Sequence, residues 1–298
     1  MPPNPLSTAD IPPEHWEDAY LVGRVPFKAA TIDHRASYCM YVPKQHYKLE
    51  PPQNLPLIAA IHGNSRQAET CRECMIDLAD RVGAAVLAPL FPAGINDPND
   101  MQNYKMLLYE GIRYDSILLS IIDEIAVRWP GIATEKFFLT GYSGGGQFAL
   151  RFFYLHPSRL EAVSVGAPGL VTQLDHTLNW PRRIKGVESI FDGLSVDLSA
   201  LKKVEEIQLI VGGDDVQKVG GGYVEWFRER EEMKKEIKDL ISSLPNRKDA
   251  LLKLKETFNS AGVTVEFEII DGVAHNSARA AVKVMEFLEP RLTRWHVK

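Results

Sequence analysis

The chemistry this sequence offers lies in a serine, an aspartate pair and a histidine, met in that order along its 298 residues. Ser143 stands in Gly141-Tyr142-Ser143-Gly144-Gly145, a Gly-x-Ser-x-Gly pattern that chance would supply about one time in ten in a chain of this length and ordinary composition. Its setting carries more information than the pattern. An apolar stretch over 136–140 reads as a strand, and a helix is expected from 145 to about 156. A nucleophile on so sharp a strand-to-helix turn needs small neighbours, because a Cβ two residues to either side would collide across the turn, and Gly141 and Gly145 fill those positions. A serine hydroxyl is a poor nucleophile at neutral pH and needs a general base, itself oriented by a carboxylate. Asp214 and Asp215 follow directly on the apolar run 207–211. His275, in Gly272-Val273-Ala274-His275-Asn276, follows the alternating run 263–270. Each lies just past the C-terminal end of an expected strand, the edge where open parallel sheets place their ligand sites.

The elements that must position these residues alternate along the chain. Strands are expected at 37–42, 55–61, 84–90, 136–140, 162–165 and 207–211, the second and third as continuous apolar runs that suit central strands buried on both faces. Between them, apolar spacings of three and four residues mark a helix carrying Cys71, Cys74, Met75, Leu78, Ala79 and Val82. A second helix carries Leu118, Ile121, Ile122, Ile125 and Trp129, and Ala278, Ala281, Val282, Met285 and Leu288 mark a closing one. This rhythm predicts an α/β fold with a mostly parallel sheet covered on both faces. The rhythm fails over 169–203, too long for an ordinary loop, and that excursion is expected to be a lid or cap. A charged stretch over 228–255, read as two exposed helices separated by Pro245, suggests a charged helical insertion at about 217–247 within one domain spanning 1–298.

The order Ser143, Asp215, His275 resembles that of the α/β-hydrolase superfamily, and the resemblance covers nearly the whole chain. Gly141-Tyr142-Ser143-Gly144-Gly145 resembles its nucleophile elbow, and His62-Gly63-Asn64-Ser65 after a buried strand resembles its oxyanion loop. Asp215 and His275 match the remaining triad positions, and the family's Gly-x-x-Asp spacing, counted from Gly212, favours Asp215 over Asp214. Asp192 and Asp197 are outside candidates, since some relatives supply the acid from an earlier strand. The resemblance implies oxyanion donors on the backbone N–H groups of Gly144 and Asn64, a structural role for His62, and no cofactor or metal. The elbow and the Gly-Val-Ala-His-Asn segment are most similar to the branch of polyhydroxybutyrate-depolymerase-like and feruloyl-esterase-like proteins. The loop reads His-Gly-Asn-Ser where many lipases have His-Gly-Gly-Gly, which argues against a triglyceride or bulky-alcohol substrate. Ser65, Tyr142 and Trp180 are candidate substrate contacts, and Tyr104, Tyr109 and Tyr114 are expected to pack rather than to line a pocket.

Composition narrows the partners. With 34 Lys and Arg scattered among 39 Asp and Glu, the formal charge is -5, and no basic stripe suited to nucleic acid is present. No segment approaches the roughly 20 apolar residues of a membrane helix, and the first residues lack the basic and apolar blocks of a secretion signal. Three cysteines, an odd number, argue against a disulfide framework and for a reducing compartment, so a cytoplasmic location is expected. Cys71 and Cys74 have no second ligand pair for zinc and are expected to be core residues. The expected function is a serine hydrolase acting on an ester, lactone or related acyl bond of a small intracellular molecule. The same triad would also serve C–C bond hydrolysis, peptide cleavage, acyl transfer or cyclisation, and a catalytically silent ligand-binding fold is the reading of another class.

Overall fold

The computed structural model describes residues 6–49, 55–98, 100–216 and 245–297. In chain order these form β1 (Gly23–Ala29), β2 (Ser37–Val42), β3 (Leu55–Ile61), α1 (Ala68–Glu73), α2 (Ile76–Val82), β4 (Ala85–Leu90), the short hairpin β5 (Leu108–Tyr109) and β6 (Ile112–Arg113), α3 (Tyr114–Arg128) and β7 (Ile132–Tyr142). There follow α4 (Gly144–Leu155), β8 (Leu160–Gly166), α5 (Val187–Ile190), α6 (Leu198–Leu201), β9 (Ile207–Gly212), α7 (Arg247–Ser260), β10 (Glu266–Ile270) and α8 (Ser277–Trp295). The eight long strands make one sheet in the order β1-β2-β4-β3-β7-β8-β9-β10, antiparallel at the β1 and β2 edge and parallel from β4 onward.

Strand periodicity sorts the core onto two faces. Along β3, Leu57, Ala59 and Ile61 face α3 and α4, whereas Ile58 and Ala60 face α2 and α8. Because β3 and β4 are covered on both sides, both faces must be apolar, which is why these strands read as continuous hydrophobic runs. The chain reverses its winding between β3 and β7: β4 lies on one side of that pair and β8 on the other. Such a switch point leaves a crevice at the carboxyl ends of the strands.

Several expectations change in three dimensions. The helix expected over 71–82 is two, broken at Cys74 and Met75. The antiparallel edge strand β1, with the mixed burial of a sheet margin, left no clear sequence pattern. A lid over 169–203 is not what the packing shows. Val171, Leu174, Ile184, Val187, Phe191 and Leu201 are buried in the main core, so the broken periodicity reflects irregular backbone anchored to the body of the protein. Of the charged insertion at 217–247, residues 217–244 lie outside the described residues. The chain beyond them is no solvated face: α7 buries Ala250, Leu251, Leu254 and Phe258. No helix among the described residues is long and apolar enough to cross a membrane.

Candidate active site

Ser143 is the residue between β7 and α4, with φ 58° and ψ -113°. That is a strained conformation for a side chain with a Cβ, and such strain persists only where the surroundings over-determine it. Here they do. The Ser143 N–H donates to the Gly166 carbonyl at the end of β8 (2.8 Å), and its carbonyl accepts from Gln147 N in the first turn of α4 (3.1 Å). Close approach does the rest. A Cβ on Gly141 would strike the Gly145 carbonyl, and one on Gly145 would strike the Ile61 carbonyl of β3, so both flanking positions require glycine. Helix α4 therefore starts pressed against two strand ends, and the N–H groups of its first residues, Gly144 to Gly146, have no intrahelical acceptor.

Asp215 and His275 come from neighbouring loops. Backbone bonds Gly213 N to Ile270 O (2.8 Å) and Asp214 N to Val273 O (2.9 Å) tie the loop after β9 to the loop after β10. This brings Asp215 Oδ2 to 2.6 Å from His275 Nδ1. The structure thus distinguishes the paired aspartates by geometry: Asp215 is fully buried against the imidazole, and Asp214 is exposed. Asp192 reaches Arg113 and Asp197 caps α6, so neither approaches His275. Burial alone would raise the Asp215 pKa, but the hydrogen bond from His275 and the charge of Arg247, whose Nη1 lies 2.9 Å from Asp215 Oδ1, outweigh it and hold the carboxyl below the usual range. Arg247 was not legible in the sequence, because it opens a helix whose charge suggested solvent. Its partner lies 32 residues away, and only the fold brings them together.

The loop after β3 supplies the other wall. His62 is fully buried. Its Nε2 accepts from Phe91 N (3.0 Å), leaving Nδ1 to donate to the Gly63 carbonyl (2.8 Å), an arrangement that needs the neutral ring. Burial pushes its pKa down to about 4. The unfolded chain would bind the proton first as pH falls below 6.5, so on the order of 3 kcal/mol of stability should be lost between there and pH 4. The His62 ring should accordingly remain neutral in nuclear magnetic resonance titrations down to about pH 5. A ring protonating at pH 6 to 7 would show that His62 is not locked in this bond pair. Asn64 follows, exposed, its Oδ1 accepting from the buried Lys105 Nζ at 2.9 Å. Lys105 belongs to a 3₁₀ turn, Asn103–Met106, whose Tyr104 hydroxyl donates to the His62 carbonyl at 2.8 Å. Tyr104 and Tyr114 are buried in an aromatic cluster with Phe91 and Phe148, as packing residues.

These loops border a cavity of about 340 Å³ lined on this side by Ser143, His275, Gly63, Asn64, Ser65 and Tyr142. Tyr142 stacks obliquely on the His275 ring, centroids 5.0 Å apart, and burial followed by the Asp215 charge pushes its phenol up to about 12, so it stays protonated. Cys71, Cys74 and Met75 at the α1–α2 break, and Ala278, Ala281 and Val284 of α8, form the apolar walls. Both half-buried cysteines line the cavity; Cys71 also packs against the core as expected, whereas Cys74 does not. Burial raises both thiol pKa values, Cys71 to about 12. No cluster of metal-binding side chains occurs among the described residues. Trp180 is not among the lining residues. Its indole donates to the Met106 carbonyl (3.2 Å) and packs edge-on against Phe191, which makes it a brace for the irregular segment rather than the expected substrate wall.

No protein-family model matches the chain, and no curated protein matches it in sequence. Solved structures do match in shape. A poly(3-hydroxybutyrate) depolymerase of Bordetella parapertussis superposes with a TM-score of 0.67 at 17% identity, over 93% of this chain and 94% of that one. The chain has the α/β-hydrolase fold. Poly(aspartic acid) hydrolase-1 from Sphingomonas sp. KT-1 (TM-score 0.63, 16% identity, 84% of this chain and 92% of the other) shares it. So does an S-formylglutathione hydrolase from Agrobacterium tumefaciens (TM-score 0.57, 14% identity, 87% and 90%). In this α/β-hydrolase fold the elbow after β7 and the loop after β3 are neighbours because Gly141 pairs with Ile61.

Proposed function

We propose that the chain is a serine hydrolase that cleaves an ester, lactone or related acyl bond of a small, uncharged intracellular molecule. The observation that carries this reading is the 2.6 Å Asp215–His275 bond beside the strained Ser143 turn, with Ser143 and His275 lining one cavity. In the proposed reaction Ser143 Oγ attacks the acyl carbonyl while His275 Nε2 takes its proton, and Asp215 holds the imidazole and supports its positive charge. The N–H groups of Gly144 and Asn64 receive the oxyanion. His275 then protonates the leaving group, and water, activated by the same imidazole, releases the acid from the acyl-enzyme. The hydrolytic activities of the three structural neighbours support the reaction class by analogy of fold. The three free thiols suit a reducing, cytoplasmic setting.

The substrate class follows from the walls. Among the described residues no Asp, Glu, Lys or Arg lines the cavity, and its volume lies at the small end of ligand sites. A charged acyl group would lose its hydration there without a partner. Against 4-nitrophenyl esters, kcat/KM should therefore be at least about 10²-fold lower for a hemisuccinate than for a butyrate of similar size. Equal rates on the two would remove the uncharged-substrate assignment while leaving the hydrolase reading in place. Absence of turnover on every ester, together with no labelling of Ser143 by a fluorophosphonate, would remove both.

A further inference from the structure

Lys105 is a buried cation that the proposed reaction does not use. It is 1% exposed, and among the described residues no carboxylate lies within ion-pair distance of its ammonium. Its side chain bonds to one half of the proposed oxyanion site and lies close to the other. Nζ donates to Asn64 Oδ1 at 2.9 Å, and Cδ would lie 3.2 Å from a Cβ placed on Gly144. The preceding residue, Tyr104, braces the same loop through the His62 carbonyl. The turn itself is fixed from below: the guanidinium of Arg151, fully buried in α4, donates to the Lys105 carbonyl and, at 2.9 Å, to Thr172 Oγ1. A buried lysine without a carboxylate is costly, so its retention calls for a role.

We propose that Lys105 is a positioning residue for the oxyanion site, its ammonium holding the Asn64 side chain so that the Asn64 and Gly144 N–H groups stay aimed at one point. It acts through Asn64 and puts a positive charge behind the place where negative charge develops, and that interaction grows in the transition state. The proposal rests on the acyl-transfer reading of Ser143. The groups that face Lys105 are Arg66 from the loop after β3, Arg151 from α4 and Asp100 from the segment before the turn, with Asn64 and Tyr104 in contact. Burial first, then the charges of Arg66 and Arg151, push its pKa down to about 7, and Asp100 only partly opposes them. Lys105 is thus charged below neutral pH and loses the charge as pH rises through about 7, so kcat should fall on that alkaline side.

The test is the pH profile of kcat and KM on a neutral 4-nitrophenyl ester for the full chain, Lys105→Met, Asn64→Ala and the double variant. Lys105→Met should lower kcat by about ten- to a hundred-fold near pH 6.5, with KM within about threefold, and should lack the alkaline fall. Asn64→Ala keeps its backbone N–H and should lower kcat similarly, and the double variant should be no worse than either single one, because both remove the same contact. An alkaline fall that persists in Lys105→Met, or single effects that multiply in the double variant, would overturn the proposal. If Lys105→Met does not fold, Asn64→Ala decides: kcat within twofold of the parent overturns the proposal, and a tenfold loss with unchanged KM supports it. Fluorophosphonate labelling of Ser143, measured alongside, separates this outcome from failure of the hydrolase reading, which would abolish labelling in the parent chain as well.

Discussion

Ser143→Ala should lower kcat on any ester substrate by on the order of 10⁶ and abolish fluorophosphonate labelling, while the thermal midpoint stays within a few degrees. The activity loss follows because Ser143 is the lining hydroxyl carried by the strained turn that opens α4. Ser65 Oγ is turned toward Gln67 Oε1, 3.3 Å away. Stability should barely change, because the strain at φ 58° belongs to the backbone and is the same for alanine, and the side chain is only partly buried. Comparing the initial rates and melting curves of the two purified proteins checks both halves. Labelling that survives in the variant would move the nucleophile elsewhere, and a large fall in the midpoint would make Ser143 structural.

Asp215→Asn should cost about 10⁴ in kcat, whereas Asp214→Asn should leave it within about threefold. An asparagine at 215 can present an N–H to His275 Nδ1 and stabilise the wrong tautomer, so the base would lose both its orientation and the negative charge that supports its protonated form. The exposed Asp214 carboxylate meets neither His275 nor Arg247. Stability carries a second signature of the same pair. Because the folded pKa of Asp215 is lowered, its contribution is full above the ordinary value of 3.8 and is lost as pH falls below it. The parent should lose more stability than Asp215→Asn between roughly pH 5 and pH 3, as read by urea denaturation at each pH. If kcat instead followed Asp214, the loop after β9 would have to be turned by one residue, with Asp214 rather than Asp215 against His275.

What could be read in the sequence depended on how locally each feature is encoded. The buried strands β3 and β4 were plain, because burial on both faces leaves an unbroken apolar run. The Ser143 turn was plain because its geometry rests on glycines two residues away on either side. The strand-end positions of Asp215 and His275 were legible for the same reason: each follows its strand by only a few residues. Neighbouring aspartates cannot be told apart by type, so choosing Asp215 needed either a family resemblance or the loop pairing through Val273 that turns one carboxylate inward and the other out.

The tertiary structure alone decided the features made of residues far apart in the chain. Arg247 on Asp215, Lys105 on Asn64 and Arg151 under the Lys105 carbonyl each join residues 32 to 46 positions apart, and neither spacing nor periodicity marks a charged residue that folding will bury. The cysteines at 71 and 74 share the helix's apolar face, yet they also line the cavity, and no proline or glycine announces the break at Met75 that separates α1 from α2. Trp180 went the other way: an aromatic residue in irregular chain suggested a substrate wall, and packing against Phe191 and Met106 made it a brace. Local sequence determines which residues stand at strand ends and helix starts, because hydrogen bonding and side-chain period act over a few residues. Which buried charge meets which, and which side chains face the cavity, depends on how those elements pack, and that is settled only when the whole sheet is assembled.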